Sequence, residues 1–310
     1  MRKILIAFLA LILLVLTLGT STYAWITLAR ASQVESITIY ATLGDTLEIS
    51  LDGENYYNEF PNEELYKVFK KNRLLDVTST DGKTFTHIDS NVEVTPNKEY
   101  ISLDFYFRTD SKREHIVYLA NNISNTVNYD DTEPHEGTYV ISKGVKYRSS
   151  FDFLYDVDDI VRTNEIRTYY LSEAVRISTI SIIDGEEVVK IFDLSGNEHR
   201  GYGKPYGAFD YYNKKQANKQ LTLPTKIPPT IYELTEFDPN GPFSYDDRSK
   251  LLVLDEIQVV GEKTYYTGKL TMNIWVEGWD ADLFDPVVYD RIKIQLQFKA
   301  VRKQIEKNIS

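Results

Sequence analysis

Not one of the 310 residues is cysteine. That absence excludes a disulfide framework, a thiolate zinc site, an iron–sulfur cluster and a cysteine nucleophile. Histidine is scarce. His87, His115, His135 and His199 form no His-Glu-x-x-His or other closely spaced metal pair. A positive balance is missing too: 35 Lys and Arg face 46 Asp and Glu, for a net charge of −11. Phosphate backbones are bound by basic faces, so nucleic acid is not an expected partner. Neither a phosphate loop, nor a dinucleotide fingerprint, nor a Gly-x-Ser-x-Gly nucleophile motif occurs. What is plentiful is aromatic: 23 tyrosines and 14 phenylalanines, within a 42% hydrophobic share that excludes a wholly disordered chain. The length suits one large all-β domain or two modest ones.

The first thirty residues differ from the rest. Arg2 and Lys3 precede an almost wholly apolar run from Ile4 to Leu18, and Gly19 to Ala24 follow. Basic start, apolar stretch and small-residue end are the parts of an export signal. Thr22 and Ala24 fit the two small-residue pockets of a signal peptidase, with the cut before Trp25. The competing reading is an uncleaved anchor, because the uncharged run continues to Leu28 and is long enough to cross a bilayer. Either way the leading cations favour a cytoplasmic N-terminus and an extracytoplasmic body, anchored in the membrane through this segment or secreted to the surface.

Beyond Arg30 the pattern turns to period two. Ser36–Ala41 and Thr46–Leu51 alternate around Gly44-Asp45 and read as a hairpin. Pro61–Leu75 carries Leu65, Val68 and Phe69 at helical spacing, after a proline and acidic start. Lys98–Arg108 sets Ile101, Leu103, Phe105 and Phe107 on one face, and His115–Ala120 is a further strand. Ala174–Ile183 pairs with Val188–Phe192 across Asp184-Gly185. Leu251–Val260, Lys269–Glu277 and Arg291–Phe298 are the last strands. The expectation is an all-β fold: an antiparallel β-sandwich, jelly-roll-like, with a few short helices and one N-terminal hydrophobic helix. Residues 1–30 would be the signal or anchor and 31–300 one domain. A long Gly- and Pro-rich excursion at about 197–250 would cross the surface, partly ordered by aromatic packing, with a disordered linker as the competing reading, and 301–310 would be a tail.

Several segments together resemble a family. Thr22-Tyr23-Ala24-Trp25 after the apolar run, Tyr100–Arg108 with Val117-Tyr118-Leu119, Ala174–Ser178, and Ile274-Trp275-Val276-Glu277-Gly278-Trp279-Asp280 occur in the usual order of the TasA/camelysin-type exported surface and biofilm-matrix proteins of Gram-positive bacteria. Ile26 stands where that family usually has Phe. Leu283 stands where relatives often carry Cys, so a thiol-dependent role is not carried over. The resemblance implies a jelly-roll-like sandwich and a surface or matrix role. Camelysin relatives have been classed as metallopeptidases, but the histidine pair needed to hold zinc is missing here.

Candidate sites are few. Three loops concentrate oxygen ligands: Asn128, Asp130, Asp131 and Glu133; Asp156, Asp158 and Asp159; and Asp280, Asp282 and Asp285. Oxygen donors suit calcium, but solvated carboxylates are the default and no cofactor is expected. Trp279 with Tyr202, Tyr206, Tyr211 and Tyr212 could form a sugar-stacking platform, whereas Trp275 reads as core. Arg108 and Arg176 are expected to pair with carboxylates such as Asp104 or Glu277. These observations favour a non-enzymatic surface or matrix protein acting in adhesion or assembly by strand addition, with Trp25–Ser36 as the donor. The alternative is a carbohydrate-binding surface module that takes cell-wall polysaccharide.

Overall fold

The computed structural model describes residue 11 and residues 33–41, 47–61, 63–65, 74–88, 90, 92–121, 127–131, 135–216, 220–238 and 244–303. Thr22, Ala24, Trp25 and the rest of the expected signal or anchor, residue 11 apart, lie outside them, as does most of the helix expected over Pro61–Leu75, of which residues 63–65 are helical. Among the described residues no helix is long and apolar enough to cross a membrane.

The strands in chain order are β1 (Gln33–Ala41), β2 (Leu47–Ser50), β3 (Asp76–Thr78), β4 (Thr86–His87), β5 (Ile101–Thr109) and β6 (His115–Leu119). There follow β7 (Tyr139–Ser142), β8 (Val145–Arg148), β9 (Phe153–Asp156), β10 (Asp159–Val161), β11 (Ile166–Tyr169), β12 (Val175–Ile183) and β13 (Glu186–Asp193). Helix α1 (Ala208–Lys215) precedes β14 (Thr230–Ile231), β15 (Lys250–Leu254), β16 (Glu256–Val260), β17 (Lys263–Glu277) and β18 (Arg291–Arg302). They build an all-β sandwich. One sheet runs β1-β18-β6-β15, with β7 beside β18. The other runs β14-β13-β12-β17-β5-β2.

Alternation explains the layers. Ile101, Leu103, Phe105 and Phe107 of β5 are buried, as are Ile292, Ile294, Leu296 and Phe298 of β18. The two rows meet face to face: Phe298 lies 5.3 Å from Phe105 and 5.0 Å from Phe107, ring centre to ring centre. Each such side chain contributes about 1.5–3 kcal/mol by leaving water. A second, smaller core covers the outer face of the β17 sheet, where Phe85 and Tyr100 stack at 4.1 Å and Trp275 meets Phe85 at 5.1 Å. The backbone turn at Asp81-Gly82 seals this lid: the Gly82 carbonyl accepts from Ser178 Oγ at 2.6 Å and Asn273 Nδ2 at 3.1 Å.

Three expectations are corrected. Ser36–Ala41 and Thr46–Leu51 do not form a hairpin. β1 joins β18 in parallel and β2 joins β5 in the opposite sheet, so the chain changes layers between them. The sandwich is antiparallel-rich as expected, with parallel pairs at β1–β18, β3–β17 and β13–β14. Leu251–Val260 is not one strand: β15 pairs with β6, then the chain crosses at Asp255 and β16 pairs with β17. Gly268 permits that crossing, because a Cβ there would lie 2.8 Å from Leu252 and 3.1 Å from the Val253 carbonyl. The 197–250 excursion is built into the fold rather than laid across it. α1 buries Ala208 and Tyr211, β14 extends a sheet, and Leu234 is buried.

Candidate functional site

The residues singled out near the C-terminus do come together, but as packing. β17 ends at Glu277, and the chain turns through Trp279–Asp285 over the ends of β12 and β13. Arg176, at the start of β12, is buried there. One of its Nη atoms donates to Asp280 and lies 2.7 Å from Asp193 Oδ2; the other donates to the carbonyls of Glu173 and Val175, at 3.1 Å each. Arg200 holds Asp282 in a fork, with Nε 3.0 and 3.1 Å from the two carboxylate oxygens. The Tyr155 ring lies 3.7 Å from the same guanidinium. Glu277 accepts from Trp275 Nε1 at 2.9 Å and the Trp279 amide at 3.1 Å. The partner of Arg176 is thus Asp280 with Asp193, not Glu277. Arg108 pairs with Glu48 rather than Asp104, which instead accepts from Thr271.

Buried carboxylates outnumber guanidinium groups in this cluster, and the acidities reflect it. Burial pushes Asp280 well up, with Asp282 and Asp193 adding to the effect against Arg176. Burial also raises Asp193 and Glu277. Glu173 is pushed up to about 7 by burial and by the nearby Asp282 and Asp193. The carboxylates face arginines and amides of their own chain, so the arrangement clamps a turn. The calcium candidates Asp280 and Asp282 are consumed in this way, and Asp285 is bound by Lys215 and the Tyr212 hydroxyl. Asp131 pairs with His135, Asp156 with His199, and Asp159 with Arg167. Among the described residues no group of three or more His, Cys, Asp or Glu is arranged to hold a metal ion.

The tyrosine platform is corrected as well. Tyr202, Tyr206 and Tyr211 are buried. Tyr211 sits 5.2–5.4 Å from Phe151, Phe153 and Phe284 and shares a hydroxyl contact of 3.3 Å with Tyr147. Tyr212 and Trp279 are half-buried. The clustering of tyrosines in this part of the sequence signals packing by amphipathic rings, with the hydroxyls of Tyr206, Tyr211 and Tyr212 each partnered.

An open cleft lies elsewhere. Asn121, Thr138, Tyr139, Leu194, Tyr232, Glu233, Leu234 and Glu236 line about 290 Å³ between the β7 edge and the segment that follows β14. Two tyrosine rings, an amide and two exposed carboxylates supply stacking faces and acceptors for hydroxyl groups, at the small end of the size range of ligand pockets, which starts at about 300 Å³. Tyr139 is fixed by its hydroxyl on Gln295 Oε1 at 2.9 Å. Burial raises the pKa of both tyrosines, so both hydroxyls stay protonated. Sequence reasoning missed this pair because Tyr139 and Tyr232 are 93 positions apart and neither sits in a motif. No family model, curated protein or solved structure matches this chain.

Proposed function

We propose that this chain is a non-enzymatic exported protein of the cell surface or extracellular matrix that acts in adhesion or assembly by strand addition. The reading rests on β1. This strand begins a few residues after the apolar leader and, among the described residues, holds the sandwich through one parallel strand partner, β18. Its outer side meets the short stretch Asn58–Phe60 near its end, through bonds of 2.9 Å at Ala41 and Ile39. A strand so joined at an edge is suited to exchange between copies. The leader would bring the body outside, either anchored in the membrane or freed by a cut before Trp25, which N-terminal sequencing of the exported protein would reveal. Removing residues 25–36, the expected donor together with the first residues of β1, should abolish fibre formation by the purified protein. Unchanged assembly would reject the reading.

The cleft supports a second reading, a carbohydrate-binding surface module. Tyr139→Ala and Tyr232→Ala should each remove binding on a glycan array while the thermal midpoint stays near its original value. Flat binding curves for the unaltered protein would end that reading.

A further inference from the structure

β16 carries no cation and no proline, the usual devices that keep an edge strand from pairing with a neighbour. All five of its residues are exposed, and Ile257, Val259 and Val260 keep 65%, 67% and 48% of their surface. Among the described residues its strand partner is β17 alone, which leaves its other edge free. The turn at Gly261 is open, and so is the β12–β13 turn at Gly185, since a Cβ at either would meet nothing within 4 Å. The exposed aliphatics are no accident of a frayed loop. Ile257 stands opposite Tyr266 and Val259 opposite Thr264, on the face that continues Leu270, Met272 and Ile274 of the core. The hairpin therefore carries the core face beyond the sheet that would cover it.

We infer that β16 joins two copies of this chain edge to edge, antiparallel, about a twofold axis through Gln258. The sequence Glu256-Ile257-Gln258-Val259-Val260 is self-complementary in that register. Ile257 would oppose Val259 of the second copy, giving the row Tyr266, Ile257, Val259, Thr264 across four strands, apolar but for its terminal threonine. On the other face Glu256 would oppose Val260. Lys263, which faces Val260 within the hairpin, would then stand two strands, about 9.5 Å, from Glu256 of the other copy. That distance suits an extended glutamate and lysine. Lys263 has the freedom to reach it: its side chain is 67% exposed and its contact with Asp110 is 3.9 Å long. Apolar meets apolar and acid meets base only in the antiparallel self-pair, which is why a second copy is the occupant. The inference rests on the strand-addition reading for its purpose, but it uses a different edge.

The lack of cysteine makes the test clean. Gln258→Cys in the full chain should cross-link to a dimer under mild oxidation, because directly opposed residues have Cα atoms about 4.5–5.5 Å apart, inside disulfide range. Val260→Cys should stay monomeric, its twin being displaced along the strand. Adding Ile257→Lys to Gln258→Cys should lose the dimer without altering the melting curve. Adding both Ile257→Lys and Val259→Glu should restore it, since lysine then faces glutamate across the axis. A monomeric Gln258→Cys chain, or equal cross-linking through Val260→Cys, overturns the inference. If fibres still depend on residues 25–36 while Gln258→Cys stays monomeric, this pairing fails and the strand-addition reading stands.

Discussion

At the scale of single residues, the buried ions decide more than the exposed ones. Arg176 neutralises Asp280 and Asp193 where water does not reach, so removing it strands two carboxylates. Arg176→Ala should cost about 3–5 kcal/mol, measured by urea denaturation. Pairing Arg176→Met with Asp280→Leu should recover most of that loss, and a double variant as weak as the single one would contradict the account. Glu173 gives a pH signature with a definite sign. Its carboxyl titrates at about 7 in the fold against 4.5 ordinarily. Between those values the folded chain holds a proton that the unfolded chain has released, so stability falls as pH rises through the window. Glu173→Gln should therefore stabilise by about 1–3 kcal/mol at pH 8 and by little at pH 4. Equal melting temperatures for the two proteins at pH 8 would remove the effect. The sequence showed that Arg176 sits on an aliphatic strand and needs a carboxylate. It did not show which one, because Asp280 lies in a turn whose path depends on Arg200 and Asp282.

At the scale of elements, alternation made the faces legible and left the partners hidden. Ile101–Phe107 and Ile292–Phe298 declare an inward face by their spacing alone, and both are buried as read. The β12–β13 hairpin was equally visible, because Asp184-Gly185 closes it in the shortest way and both residues adopt positive φ. β1 and β2 present the same kind of pattern, yet they belong to opposite layers, since period two marks a face and says nothing about which sheet receives it. α1 was hidden by its shortness. It starts at Gly207, whose φ of +63° lets the Ala208 amide reach the Ala281 carbonyl at 2.8 Å. A Cβ on Gly207 would lie 2.1 Å from that carbonyl oxygen. Gly207→Ala should thus cost about 1–3 kcal/mol or more, through both strain and a forced shift of the Trp279–Asp285 turn. Gly185→Ala is the control: it has a similar φ of +83° but open surroundings, and should cost about 1–2 kcal/mol. Chemical denaturation of both variants checks the order, and a smaller loss at Gly207 would refute the packing argument.

At the scale of the whole molecule, the two ends of the described chain meet side by side, and they are not held equally. β17 is fifteen residues long and lies between β12 and β5, with a core row on one face and the Phe85–Trp275 lid on the other. Among the described residues β1 has one strand neighbour, a register break between Val34 and Ser36, and a parallel ladder, whose slanted bonds are slightly weaker per residue. Native opening free energies follow such differences, from near zero at fraying edges to the global value in central strands. Amides of Ile37 and Ile39 should therefore exchange with deuterium by local opening, with little dependence on denaturant at low concentration. Those of Leu270, Met272 and Ile274 should exchange through global unfolding, with the full denaturant dependence. Hydrogen exchange followed by peptide mass in a urea series separates the two. Equal protection of β1 and β17 would mean that the edge strand is locked into the sandwich, and a strand that cannot leave cannot be traded between neighbours.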